Sequence, residues 1–126
     1  PMIAFVRESV AYTSFTDGSR VESDEIDFVS RLFFMQVMHK TYPGTGTVCA
    51  GVAAMIEGTL VNRVCSPRVL ETKTVRIGHP SGTISIEVDV EKNAEGFHIK
   101  KAAFARTSRR IMEGFVYVPE KLFSSK

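Results

Sequence analysis

Two short glycine-bearing segments hold the residue types best suited to chemistry in this 126-residue chain. The first, Pro43-Gly44-Thr45-Gly46-Thr47, opens into an uncharged run of small and apolar residues from Val48 to Ile56. A helix that begins there presents unpaired N–H groups and a partial positive charge. The glycines let a ligand approach the backbone and the threonine hydroxyls add donors, so the expected guest is an anion. The plain alternative is a tight turn with a threonine cap. The segment lacks the Lys-[Ser/Thr] ending of a P-loop and the strand-plus-acid context of a dinucleotide fingerprint.

The second segment, Gly78-His79-Pro80-Ser81-Gly82, sets an imidazole and a hydroxyl between two glycines at the entrance to a strand. Pro80 stiffens the turn and Gly82 permits an unusual backbone angle. Its plain alternative is a rigid connection carrying an exposed histidine. Cys49 falls in the first turn of the small-residue helix, where a thiol pKa can be lowered. Packing as a small hydrophobe is the preferred reading for Cys49, and both Cys49 and Cys65 are expected to be free and buried. His39, His79, His98 and the cysteines show no metal-ligand spacing, so no metal site is expected.

The bulk numbers narrow the class. Sixteen basic and 14 acidic residues leave a net charge of +2, too little for a general pull on nucleic acid. Arg106, Arg109 and Arg110 lack interleaved aromatics, so a solvated turn or ion pairs to a neighbouring lobe are expected rather than RNA. No apolar run is long enough to cross a membrane and no signal peptide is visible, which makes the cytoplasm the default compartment. There is no Gly-x-Ser-x-Gly elbow and no Ser/His/Asp arrangement.

The elements that must position these residues read as α+β, a mostly antiparallel sheet curled around one central apolar helix, in a single domain over residues 1–126. Met2 to Val6 suits a strand, and Thr16-Asp17-Gly18-Ser19 is turn chemistry. Ser23 with Asp24 and Glu25 reads as a helix start, and Ile26, Val29, Leu32, Phe33 and Val37 follow helical spacing. The small-residue helix is expected to be buried on nearly all sides and to close at Gly58. Thr59-Leu60-Val61 and Val69 to Ile77 read as strands. Thr83 to Glu91 alternates strictly, with Ile84, Ile86, Val88 and Val90 on one face. A hairpin loop at residues 92–96 returns the chain antiparallel, with a bulge expected at Lys100-Lys101. Phe115 to Val118 reads as a last strand, expected to leave apolar surface exposed.

His39-Lys40-Thr41, Gly58-Thr59-Leu60-Val61-Asn62, Gly78 to Gly82, Arg106 to Gly114, and Val116-Tyr117-Val118-Pro119 occur in this order, within a stretch running from Ile3 to Pro119. Together they resemble the PrpF family, which includes 2-methylaconitate cis-trans isomerases and 4-oxalomesaconate tautomerases. The resemblance implies the fold of diaminopimelate epimerase, in which two similar lobes face each other across the active site. This chain looks like the second, C-terminal lobe, which agrees with its Pro1-Met2 start. The implied chemistry is proton abstraction next to a carboxylate and reprotonation along the allylic system, without cofactor.

The resemblance carries over a limited site. Met35 matches a position bordering the substrate, Thr45, Gly46 and Thr47 match the helix-start donors, and His79, Ser81 and Gly82 match the second substrate loop. Where diaminopimelate epimerase has a catalytic cysteine before Gly-Thr-Gly, this chain has Pro43. The acid/base pair, a lysine and a cysteine, is expected from the other lobe, so no catalytic residue is assigned here and the chain alone should be inactive. The implied partners are a small carboxylate substrate and an N-terminal lobe, with room for a homo-oligomer. Two other readings compete: a non-catalytic anion-binding or interaction module using Arg106 to Arg110, and a tautomerase using Pro1 as base.

Overall fold

The computed structural model describes residues 1–123. Strand β1 (Met2–Glu8) runs along one edge of a six-stranded sheet. A small hairpin of β2 (Tyr12–Thr13) and β3 (Arg20–Val21) follows, closed by the Thr16–Ser19 turn, where the Asp17 carboxylate accepts from both the amide and the hydroxyl of Ser19. Then come β4 (Phe28–Phe34) and β5 (Val37–Met38), helices α1 (Gly44–Met55), α2 (Leu60–Val64) and α3 (Val69–Thr72), and strands β6 (Thr74–His79), β7 (Gly82–Asn93) and β8 (Gly96–Ala103). The sheet order is β1-β4-β6-β7-β8, with β5 paired to β4; among the described strands only β4 and β6 run parallel.

The curled, mostly antiparallel sheet around one apolar helix is as expected, but several elements differ from their sequence reading. Residues 28–34 form a strand, not a helix. Phe28 and Leu32 point to the main core while Val29 joins Val21 and Ile26 under the β2–β3 hairpin. A strand covered on both faces loses the alternation that marks a half-exposed one, and its apolar positions then mimic helical spacing. Ser23–Glu25 form only one 3-10 turn, capped reciprocally by Glu22 and Glu25.

Asp27, between that turn and β4, lies deep in the protein. Its carboxylate accepts from Arg68 Nε at 2.6 Å and from the Arg76 amide at 2.7 Å, with further bonds to both guanidinium groups. Burial works to raise its pKa, but these charged and backbone donors outweigh it and hold the carboxyl below the usual range. The turn, β6 and α3 are thereby tied together.

Thr59-Leu60-Val61 begins a helix rather than a strand. The Thr59 hydroxyl accepts from the Asn62 amide as a cap and donates to the Ala53 carbonyl, and Asn62 Nδ2 donates to the Ala54 carbonyl. These bonds satisfy the last carbonyls of α1, which stops at Met55, three residues before Gly58. Gly58 itself adopts a φ of +88° in the turn. The segment 69–77 is split: α3 takes its first part, Lys73 turns with φ +52°, and β6 takes the rest. On β7, Ile86 and Val88 are buried as the alternation requires. The bulge lies where expected, since Asp89 faces Lys101 and Val90 faces Ile99, leaving Lys100 over.

Helix α1 is not enclosed. Gly46, Thr47, Ala50, Gly51 and Ala54 are buried toward the sheet, while Thr45 and Cys49 are exposed, because the described sheet wraps one side only. Cys49 is therefore an exposed thiol, not a buried one, and Cys65 is half-buried. Gly51 has a packing role: a Cβ there would meet Ile86 Cγ2 at 2.6 Å. Phe115–Val118 joins no strand; Phe115 and Tyr117 lie fully in solvent, so the expected apolar exposure is present without the expected pairing.

Candidate functional site

The start of α1 follows from its residues. Pro43 takes the cap position with extended backbone (φ −70°, ψ 146°) and has no side-chain acceptor to offer. No acidic residue stands in the first turn, and among the described residues no side chain caps the amides of Gly44, Thr45 and Gly46. The first intrahelical bond runs from the Thr47 amide to the Pro43 carbonyl at 2.9 Å. The Thr47 hydroxyl donates to the same carbonyl at 3.1 Å and is fully buried. Its proton is therefore committed to holding Pro43, while Thr45 faces solvent.

Packing leaves no room for a side chain at either glycine. A Cβ on Gly46 would sit 2.8 Å from Leu32 Cδ1 and 3.2 Å from Pro43 Cγ; one on Gly44 would sit 2.8 Å from Phe104 Cζ. Beside this helix start lies a mainly apolar hollow of about 360 Å³, walled by Met2, Ala4 and Val6 of β1 and by Thr45, Gly46 and Cys49 of α1.

The second loop docks against the segment leading into α1. β6 and β7 pair up to His79 and Gly82, leaving Pro80-Ser81 as a two-residue turn. Gly82 adopts φ +118°, a conformation side chains disfavour. The Ser81 hydroxyl donates to the Lys40 carbonyl, and the Ser81 amide donates to His79 Nδ1 at 3.2 Å. The His79 ring stacks on Tyr42 with centroids 6.2 Å apart, and the Tyr42 hydroxyl shares a 2.8 Å hydrogen bond with Ser30.

His79 is thus a buried histidine, not the exposed one of the plain reading. Burial lowers its pKa below 6.5; a backbone hydrogen bond with Thr83 opposes this, and the nearby Arg31 and His39 add to the lowering. This favours the neutral ring, consistent with Nδ1 accepting from the Ser81 amide.

The fold therefore brings His79, Ser81 and Gly82 onto the 39–43 segment that delivers Thr45, Gly46 and Thr47. Met35 stands apart from this group. It occupies the tip of the β4–β5 hairpin with Gln36, both at positive φ (50° and 66°), and lines a separate hollow with Ile3, Phe5 and Phe33. Sequence reasoning missed Tyr42, Tyr12 and Arg31. Tyr42 carried a weak signal, an aromatic directly before the Pro-Gly turn; the other two carried none, because their contacts span distant strands.

Among the described residues no group of histidine, cysteine or acidic side chains is arranged to hold a metal ion, and no helix is long and apolar enough to cross a membrane. Cys65 is unsuited to nucleophilic work: burial, then the neighbouring Asp27 charge, push its thiol up to about 12.

Comparison with known proteins identifies the family to which this fold belongs. A family model described as PrpF protein matches residues 1–119. The 3-methylitaconate isomerase of Eubacterium barkeri is 52% identical over 118 residues, covering 94% of this chain and 30% of that protein. The 2-methyl-aconitate isomerase of Cupriavidus necator is 37% identical over 123 residues, covering 98% of this chain and 30% of that protein. A crystal structure of methylitaconate-delta-isomerase superposes with a TM-score of 0.80 at 48% identity, covering all of this chain and 31% of the other. The chain thus spans about 30% of the length of these relatives.

Proposed function

The chain belongs to the PrpF family, and from that premise we propose that it is the polyacid-binding lobe of a cofactor-independent isomerase. The reaction moves a proton on an unsaturated di- or tricarboxylate of the 2-methylaconitate, methylitaconate or 4-oxalomesaconate type. A proton leaves a carbon next to a carboxylate, giving an enolate-like carbanion, and a proton returns at the other end of the allylic system. Atoms and charge balance without any external reductant or oxidant.

In this reading the amides of Thr45 and Gly46 receive one carboxylate of the substrate. Thr47 holds the Pro43 carbonyl, so that the first turn keeps its aim. His79, Ser81 and Gly82 form the second contact region, and Met35 borders the substrate from its hairpin tip. A lysine and a cysteine of an N-terminal lobe supply the acid and base. Oriented amides stabilise developing charge without reorganising, and each such donor is worth roughly 3–4 kcal/mol of barrier when water is excluded.

The observation that carries the proposal is the uncapped, acid-free start of α1 with the Gly78–Gly82 turn hydrogen-bonded to the segment just ahead of it. The test is a titration of the ¹⁵N-labelled chain with citrate and tricarballylate. Amide shifts centred on Thr45, Gly46, Ser81 and Gly82 are expected, and shifts confined to other regions would defeat the assignment. The chain alone should exchange no substrate proton for deuterium in heavy water; catalysis by it would show that the acid and base lie within these residues.

A further inference from the structure

The Gly78–Gly82 turn is gripped from the side opposite His79 and Tyr42. Inward positions on β6 are Val75, Ile77 and His79, so Gly78 faces the other side of the sheet, where the β2–β3 hairpin lies. From that hairpin the Tyr12 hydroxyl donates to the Gly82 carbonyl at 2.5 Å, and the Phe15 amide donates to the Pro80 carbonyl at 2.7 Å. Arg31 of β4 adds a long bond from Nη1 to the Gly78 carbonyl at 3.4 Å. Alternate carbonyls of the turn, at 78, 80 and 82, are thus all engaged.

The parts fit together closely. The Arg31 guanidinium lies 4.8 Å from the centre of the Tyr12 ring, and among the described residues it forms no ion pair. The ring itself packs with Val21, Ile26 and Val29. A Cβ on Gly78 would stand 3.1 Å from Tyr12 Oη and 2.8 Å from Ile26 Cδ1, so the glycine keeps open the path by which Tyr12 crosses to Gly82. The bond ends on Gly82, the one residue of the turn held in a backbone conformation that side chains disfavour.

We propose that Tyr12, with Arg31 behind it, is a positioning residue that sets the Gly78–Gly82 turn for polyacid binding. It touches no substrate; it holds the turn's carbonyls outward so that the Ser81 amide and hydroxyl keep their bonds to His79 and Lys40. This inference rests on the polyacid reading above.

The test compares the wild-type chain with Tyr12→Phe, which keeps the ring packing and removes only the hydroxyl, and with Arg31→Gln as a second variant. Each is titrated with citrate by ¹⁵N NMR under conditions where it is fully folded, and its urea midpoint is measured separately. Both variants are expected to bind citrate more weakly, Tyr12→Phe by about fivefold, the loss set by one neutral hydrogen bond. Faster amide exchange confined to Ser81 and its neighbours should accompany this. Wild-type affinity in the folded variants, with only the urea midpoint changed, would overturn the clamp and leave the polyacid reading standing. Absence of citrate shifts at Thr45, Gly46 and Ser81 in the wild type would remove that reading, and the clamp with it.

Discussion

The imidazole of His79 lies stacked at 27° on the ring of Tyr42, and this pair joins the two halves of the candidate site. Tyr42 stands directly before Pro43, which occupies the position ahead of the first turn of α1, while His79 ends β6. The stack therefore fixes where the helix start lies relative to the turn. It also places a titratable group in an environment that favours its neutral form.

That environment predicts a stability change with pH. Because burial lowers the His79 pKa in the folded protein, the unfolded chain binds the proton more readily. The His79 contribution is complete above the unfolded value of about 6.5 and is lost as pH falls below it, levelling off under the folded pKa. Urea midpoints should thus decline from about pH 7 toward pH 5 in the wild type. His79→Gln should flatten that part of the profile; an unchanged slope would mean that the imidazole is not the group responsible.

Replacing Pro43 by Asp should separate stability from binding. An aspartate at the cap position supplies the acceptor that α1 lacks and meets the helix dipole favourably, adding about 1 kcal/mol of stability. The same carboxylate competes for the amides assigned to the substrate, so citrate binding should fall sharply. Thermal unfolding and a citrate titration of Pro43→Asp read the two effects independently. Tighter binding in this variant would argue against the helix start as the anion site.

The β4–β5 turn stores strain that can be relieved. Met35 and Gln36 both occupy the left-handed region, the pattern of a two-residue hairpin turn that glycine and asparagine favour. Gln36→Gly should raise stability by about 1 kcal/mol, since the backbone penalty for a side chain there outweighs the added freedom of the unfolded chain. A lower unfolding midpoint would show that the Gln36 side chain makes contacts worth more than the strain.

The two thiols should differ in reactivity. Cys49 is exposed, whereas Cys65 is half-buried with its pKa raised to about 12. A thiol-disulfide reagent at pH 7.5 should modify one cysteine quickly in the folded chain and both in urea. Mass mapping of the fast product to Cys65 would contradict this arrangement.

Much of this protein was legible locally. Strict alternation marked β7, Thr16-Asp17-Gly18-Ser19 marked a turn though not the hairpin it closes, and the slip at Lys100-Lys101 marked the bulge, because in each case neighbouring residues decide the outcome. The helix start at Gly44 was legible for the same reason: small residues after a Pro-Gly turn leave few other choices. The ordered set of segments from His39 to Pro119 carried the family.

What only the tertiary structure decided concerns residues whose neighbours come from far along the chain. Residues 28–34 became a strand because β1 and β6 pair along their edges while α1 and the β2–β3 hairpin cover their two faces, a condition that no periodicity within the segment records. Leu60–Val64 became a helix because Thr59 and Asn62 found the open carbonyls at the end of α1. Cys49 is exposed because the described sheet wraps a single side of the helix, and Tyr12 reaches Gly82 because Gly78 leaves room for it. Local propensity selects among backbone shapes by fractions of a kcal/mol, whereas burial and long-range hydrogen bonds decide by more, so these placements could be read only once the chain had closed on itself.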